Sequence, residues 1–377
     1  MQMKRFGLCA ALSAAALLLL AGCAGSGSTA APTLTVESSY PLQYAKQFTV
    51  DECTGGYERI TIADSQYLVV PQGAAVPEDL PQGTTVLQQP IENIYLVSTS
   101  AMDPIISLGA LDSIALSGTK ADGWYLPEAK AAMQAGNLAY AGSHSAPDYE
   151  TILASGCGLA IENTMIYHTP EVKEQLEKFG IPVLVERSSY ETNPLARMEW
   201  VKLYGILLGK QQEAEPLFDT QVQRVAPLEN QQPTGKTVAF FSITSNNLVT
   251  VRKGSDYVAR MIEMAGGSYV FADLTDNGNN LATINLSLED FYAGAKDADV
   301  LLYNSTIEGS IASTEQLVEK CPLLAQFKAV QNGNVWCTAQ SLFQQSMELP
   351  DLILDMNRVF TEGTPADSEL TFLTHVE

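Results

Sequence analysis

The chain has 377 residues, 46% hydrophobic and 17% charged, with 43 acidic against 21 basic side chains and a net charge of −22. That length and apolar content suffice for two lobes, each with its own core. The acidity excludes nucleic-acid binding, which needs clustered Lys and Arg, and it disfavours docking of the body on anionic lipid.

Lys4 and Arg5 precede an apolar run from Ala10 to Leu20, too short for a permanent membrane span. Residues 1–22 therefore read as a secretory signal. It ends in Leu20-Ala21-Gly22-Cys23, which resembles a bacterial lipobox, with Cys23 as the lipid attachment site. The following Ala/Gly/Ser-rich stretch makes residues 23–50 a flexible tether. These features place the protein on the extracytoplasmic face of the cell membrane, held through its lipid alone. Past the signal, no stretch reads as a membrane helix.

Residues 51–208 read as a first α/β lobe. Apolar runs at 59–63, 67–71, 93–100, 113–118, 159–163 and 181–186 are strand candidates. The last four alternate with helical stretches at 102–109, 148–155 and 170–179, the pattern of a doubly wound parallel sheet; the first two read as an added hairpin or edge. A connecting helix is expected over 209–232, because Ala214, Leu217, Phe218, Val222 and Val225 form one apolar stripe. Pro216 and Pro227 fall within it, and a mid-helix proline costs about 3 kcal/mol, so a short or kinked helix is predicted. The alternation restarts over 233–377, with strands at 238–244, 247–254, 299–304 and 334–338 and helices at 256–267 and 287–298.

Cys53, Cys157, Cys321 and Cys337 show no CxxC or Cys-His spacing, so no structural zinc site is predicted; bridged and free thiols both remain open. With only His144, His168 and His375 in the chain, a histidine cage for a bare metal is not expected. No nucleophile elbow, HExxH or phosphate loop occurs, so no catalytic residue is assigned.

Signal, tether, two α/β lobes and a helical connector together resemble the class III substrate-binding lipoproteins of ABC importers, which serve ferric siderophores, haem and cobalamin. "IYLVSTSAMDPIISLGALDSIALSG", "APDYETILASGCGLAIEN", "FGIPVLVERSSYETNPLARMEWVKLYGILLGKQQEAEPLF" and "FKAVQNGNVWCT" carry the likeness over most of residues 91–354. The resemblance implies two Rossmann-like lobes with parallel sheets, a single spine helix and a ligand cleft between the lobes. It implies a monomeric, non-enzymatic binder of an iron chelate, haem or corrinoid, with no cofactor of its own. Its partners would be an ABC permease dimer and its ATPase. A surface sensor or adhesin on the same lobes, or a hydrolase, are the competing readings.

Ligands of open α/β sheets sit beyond the carboxyl ends of the strands. In the first lobe this selects Ser98, Thr99, Ser100, Met102, Trp124, Tyr125, His144, Ser145, Asn163, Thr164 and Met165. In the second it selects Ser245, Asn246, Arg252, Tyr257, Asn304, Ser305, Gln340 and Phe343. Arg252 is the expected anion ligand, since a guanidinium offers a fixed fork to carboxylate or catecholate oxygens, while Lys253 alternates to the other face. Glu150 and Glu289 each open a helix, one per lobe, and resemble the glutamates that the family presents to permease arginines.

Overall fold

A computed structural model describes residues 34–275 and 282–377; the signal sequence and Cys23 lie outside them. The chain opens with β1 (Val36–Ser39), β2 (Phe48–Cys53), β3 (Tyr57–Ile62), β4 (Ser65–Val70) and β5 (Thr85–Gln88). These five form one sheet in sequence order, antiparallel except for the β4–β5 pair. The sequence reading treated 23–50 as tether and took the runs at 59–63 and 67–71 as an added hairpin or edge. Instead Val36–Ser39 and Phe48–Val50 are paired strands, and β3 and β4 sit inside a separate sheet. β1 was hidden because all four of its residues are exposed, so nothing alternates.

The first lobe follows, with β6 (Ile94–Leu96), α1 (Met102–Ser107), β7 (Ile114–Ser117), α2 (Pro127–Ala135) and β8 (Ala139–Tyr140). A small hairpin of β9 (Gly142–Ser143) and β10 (Ala146–Pro147) leads into α3 (Tyr149–Ala154). β11 (Ala160–Glu162), α4 (Pro170–Lys178) and β12 (Val183–Val185) complete it. The sheet runs β12-β11-β6-β7-β8 with every pair parallel. β6, β11 and β12 are buried throughout, as a sheet covered on both faces requires.

The last helix of the first lobe and the expected connector follow one another directly. α5 (Pro194–Leu208) starts at Asn193, whose side chain accepts from Leu195 N at 2.9 Å, with Pro194 in the first turn. Gly209, at φ 67°, ends it in the left-handed conformation that glycine adopts without strain. α6 (Gln211–Val225) then folds back, and Gly205 of α5 lets Ala214 approach so closely that an added Cβ would lie 2.7 Å from the Ala214 Cβ. The single helix expected over 209–232 is thus α6 plus a 3-10 turn, Ala226–Asn230, that contains Pro227. Pro216 sits inside α6 on its exposed side, and the carbonyl it orphans belongs to Gln212, an exposed residue four positions back.

The second lobe holds β13 (Thr237–Ile243), β14 (Val249–Arg252), α7 (Tyr257–Met264), β15 (Ser268–Tyr269), β16 (Thr283–Leu286) and α8 (Leu288–Ala295). β17 (Val300–Tyr303), α9 (Ser305–Glu308), α10 (Thr314–Lys320), α11 (Lys328–Gln331), β18 (Val335–Thr338), α12 (Leu349–Glu362) and β19 (Leu373–His375) close it. Its sheet runs β16-β14-β13-β17-β18-β19, with β15 also on β13. β13, β17 and β18 are parallel, whereas β14, β16 and β19 run antiparallel to their neighbours. α5 is buried from Pro194 to Leu207 and belongs to an apolar cluster that also takes in Phe48 of the first sheet, Met102 of the first lobe and Val258 of the second. All four described cysteines are free, three buried and Cys157 partly so.

Candidate functional site

A cavity of about 740 Å3 opens between the lobes, within the range of small-molecule sites. The first lobe lines it from the carboxyl ends of β6, β11 and β12, through Ser98–Ser100, Asn163–Met165, Tyr167 and the 186–192 loop. From the second lobe come Arg252, Lys253, Ser255, Asp256, Tyr257, Ala282 and Phe343, and α5 contributes Arg197.

The three carboxylates are each occupied by protein donors. Glu186 accepts from Ser98 Oγ (2.9 Å) and Ser100 Oγ (3.1 Å) with one oxygen and from Ser188 N (2.7 Å) with the other. Glu191 accepts backbone N–H groups and Trp200 Nε1; burial pushes its pKa up, and those hydrogen bonds oppose the shift. Asp256 caps α7 by accepting from Val258 N at 2.9 Å. Burial pushes its pKa up, against the pull of Arg252 and Arg197.

The cations are held differently. Arg252 lies over the Phe343 ring (4.6 Å) and 3.6 Å from Asp256. Arg187 stacks on Tyr190 at 4.6 Å. Arg197 is 4% exposed, its guanidinium 4.9 Å from the centre of the Tyr257 ring, and it makes no side-chain hydrogen bond or ion pair among the described residues. Arg197 thus feels the Asp256 carboxylate without a direct ion pair or hydrogen bond to it, and its N–H donors stay unspent at the cavity wall. Among the described residues no group of three His, Cys, Asp or Glu side chains could hold a metal ion.

The family model described as periplasmic binding protein matches residues 96–341. The chain belongs to the periplasmic binding protein family. An uncharacterized lipoprotein of Methanocaldococcus jannaschii is 27% identical over 241 residues, which is 62% of this chain and 55% of that relative. The chain thus spans about half the length of the curated relatives it matches. Among solved structures, the periplasmic heme binding protein of Vibrio cholerae superposes with a TM-score of 0.57 at 18% identity, over 73% of this chain and 99% of its own. The ABC-type Fe3+-hydroxamate transport system of Saccharomonospora viridis gives 0.56 at 22% identity, over 72% and 94%. These likenesses establish the two-lobed fold. Periplasmic binding proteins as a family are solute binders rather than enzymes.

In this binding protein, eight residues singled out from the sequence meet at the cavity: Ser98, Thr99, Ser100, Asn163, Thr164, Arg252, Tyr257 and Phe343. Met165, noted beside them, is there too. The others lie elsewhere. Met102 is buried in the core, and Trp124 is buried with its Nε1 on Ser117 Oγ at 3.1 Å. Tyr125 is exposed outside the cavity lining. His144 and Ser145 form the tip of the β9–β10 hairpin. Ser245 and Asn246 sit in the exposed turn that Thr244 N closes onto Leu248 O (2.8 Å), and Asn304 is a buried helix cap. Neither Ser305 nor Gln340 reaches the lining. The reason is topological. β14 runs antiparallel to β13, so Arg252 is carried away from the carboxyl ends of β13 and β17, and the cavity forms where β14 arrives. Lys253, placed on the opposite face by strand alternation, also lines the cavity because β14 ends at Arg252.

Sequence reading missed Tyr167, Arg197 and the whole 186–192 loop. The loop was findable, since it follows β12, a strand the apolar pattern had located. Arg197 was not, because it stands in the first turns of a helix that is buried on all sides, where a charged residue carries no sequence mark of facing a cavity.

Proposed function

We propose that this protein is the substrate-binding component of an ABC importer, held by a lipid on Cys23 at the extracytoplasmic face of the membrane. It captures an iron–siderophore complex or the related haem or corrinoid, and delivers it as a monomer to a permease dimer driven by its ATPase. The observation that carries this reading is Arg197, a buried, unpaired guanidinium on the Tyr257 ring, facing a cavity large enough for such a ligand. Proteins of the same fold include a heme binding protein and a member of an Fe3+-hydroxamate transport system, which supports an iron chelate as the ligand class.

Glu150 and Glu289 support the delivery step. Each is exposed in the first turn of a helix, α3 and α8, whose caps are Asp148 and Ser287, and neither makes an ion pair among the described residues. A thermal-shift titration with haemin, ferric siderophores and cobalamin tests the ligand class, because a ligand that binds only the folded state raises the melting temperature with concentration. One of these chelates is expected to shift the midpoint; a shift with free zinc or manganese and none with any chelate would overturn the assignment.

A further inference from the structure

The sheet β1–β5 precedes the region that the family model matches, yet one of its loops backs the wall of the cavity. This arm, Gln43–Gln47, lies between β1 and β2 and is laid along the start of α5. Gln43 N donates to Glu199 Oε1 (2.8 Å), and Tyr44 N and Ala45 N to its Oε2 (2.7 and 2.8 Å). Lys46 N and Gln47 N donate to Glu191 Oε1 (3.0 and 2.9 Å). Five successive amides thus end on two buried carboxylates, which Trp200 Nε1 and Lys202 Nζ help to fix. Charge-assisted bonds of this kind are among the stronger hydrogen bonds in proteins. Phe48 seals the arm edge-on against Trp200, with ring centres 4.9 Å apart.

At its end, Gln47 Oε1 accepts from Arg187 Nε at 3.2 Å, while the Arg187 guanidinium rests on Tyr190. Arg187, Tyr190 and Glu191 line the cavity; Gln47 stands behind them. A neutral acceptor on Nε orients a guanidinium without cancelling its charge, and it leaves the outer N–H groups free. We propose that the N-terminal arm is a working part of the ligand site: Gln47 is a positioning residue that holds Arg187 across the cavity wall and biases the site toward anionic over neutral ligands. The bias rests on this cavity being the ligand site; the orientation of Arg187 does not.

The test compares wild type, Gln47→Met and Gln47→Glu in the full chain, with two readouts. In the ligand-free protein, the Arg187 Nε–H resonance (assigned with Arg187→Lys) should be slow to exchange in wild type and fast in Gln47→Met, at an unchanged melting temperature. Against haemin and a ferric tricatecholate, both anionic, Gln47→Met should bind about tenfold more weakly and Gln47→Glu more weakly still. A neutral ferric trihydroxamate should bind all three proteins alike. If Arg187 exchanges equally in wild type and Gln47→Met, or if the anionic-to-neutral preference is the same in all three proteins, the proposal falls. Should wild type bind none of the probes, the transport reading fails, and the Arg187 resonance alone decides whether the arm positions that side chain.

Discussion

Glu162 closes β11 with its carboxyl buried beside Tyr95 and Tyr149, and neither oxygen has a partner among the described residues. Burial pushes its pKa up to about 8. In the unfolded chain this acid releases its proton in the ordinary carboxylate range, so between that range and about pH 8 the folded state binds more protons. Stability therefore falls as pH rises through this window and levels off above it. Glu162→Gln removes the titration, so its melting temperature relative to wild type should climb from roughly pH 5 to 8 and then plateau. A difference independent of pH would show that the acid is not protonated in the fold. At the cavity, Arg197→Met keeps the bulk of the side chain and removes the charge. It should weaken binding of an anionic chelate by roughly two orders of magnitude, as for a buried charged hydrogen bond, while leaving stability close to wild type. Equal affinity in calorimetric titration would take Arg197 out of the site. Residues such as Ser98 and Asn163 were legible because each stands just past a short apolar run, where the end of a parallel strand is marked by the first polar side chains. Arg197 was not, since its role depends on Tyr257, sixty residues away on another lobe.

At the scale of elements, the parallel strands and the helices between them could be read because apolar runs, caps and prolines agree locally, as at Asn193-Pro194 and Ser287. The way α5 and α6 cross could not. A stripe on α6 looks the same whether that helix continues from α5 or turns back on it, and what decides is Gly209 at positive φ together with the close approach at Gly205. The crossing gives a prediction with a diagnostic sign. In an exposed helix, Gly→Ala stabilises by about 0.5–1 kcal/mol. Here a Cβ on Gly205 would lie 2.7 Å from Ala214 Cβ and 3.1 Å from Lys210 O, so Gly205→Ala should instead destabilise by about 1–3 kcal/mol. Ala214→Gly in the same chain should recover part of that loss. Urea midpoints of the two variants and the double mutant measure it, and a more stable Gly205→Ala would mean the helices do not cross there.

For the whole molecule, the docking proposal separates capture from delivery. Glu150→Arg with Glu289→Arg reverses two exposed charges on opposite lobes, away from the cavity lining. Ligand affinity and melting temperature should stay at wild-type values, while uptake and the salt-sensitive complex with the permease are lost. Wild-type uptake by a well-expressed double mutant would rule the docking role out. The four thiols among the described residues carry a different consequence. None is bridged, and burial raises the pKa of Cys53, Cys157 and Cys337, which keeps the reactive thiolate scarce. The fold is therefore indifferent to the oxidising or reducing poise of its surroundings. Denaturation curves with and without a reductant should superimpose, and the protein should refold from denaturant with no oxidant and no isomerase to sort its sulfurs.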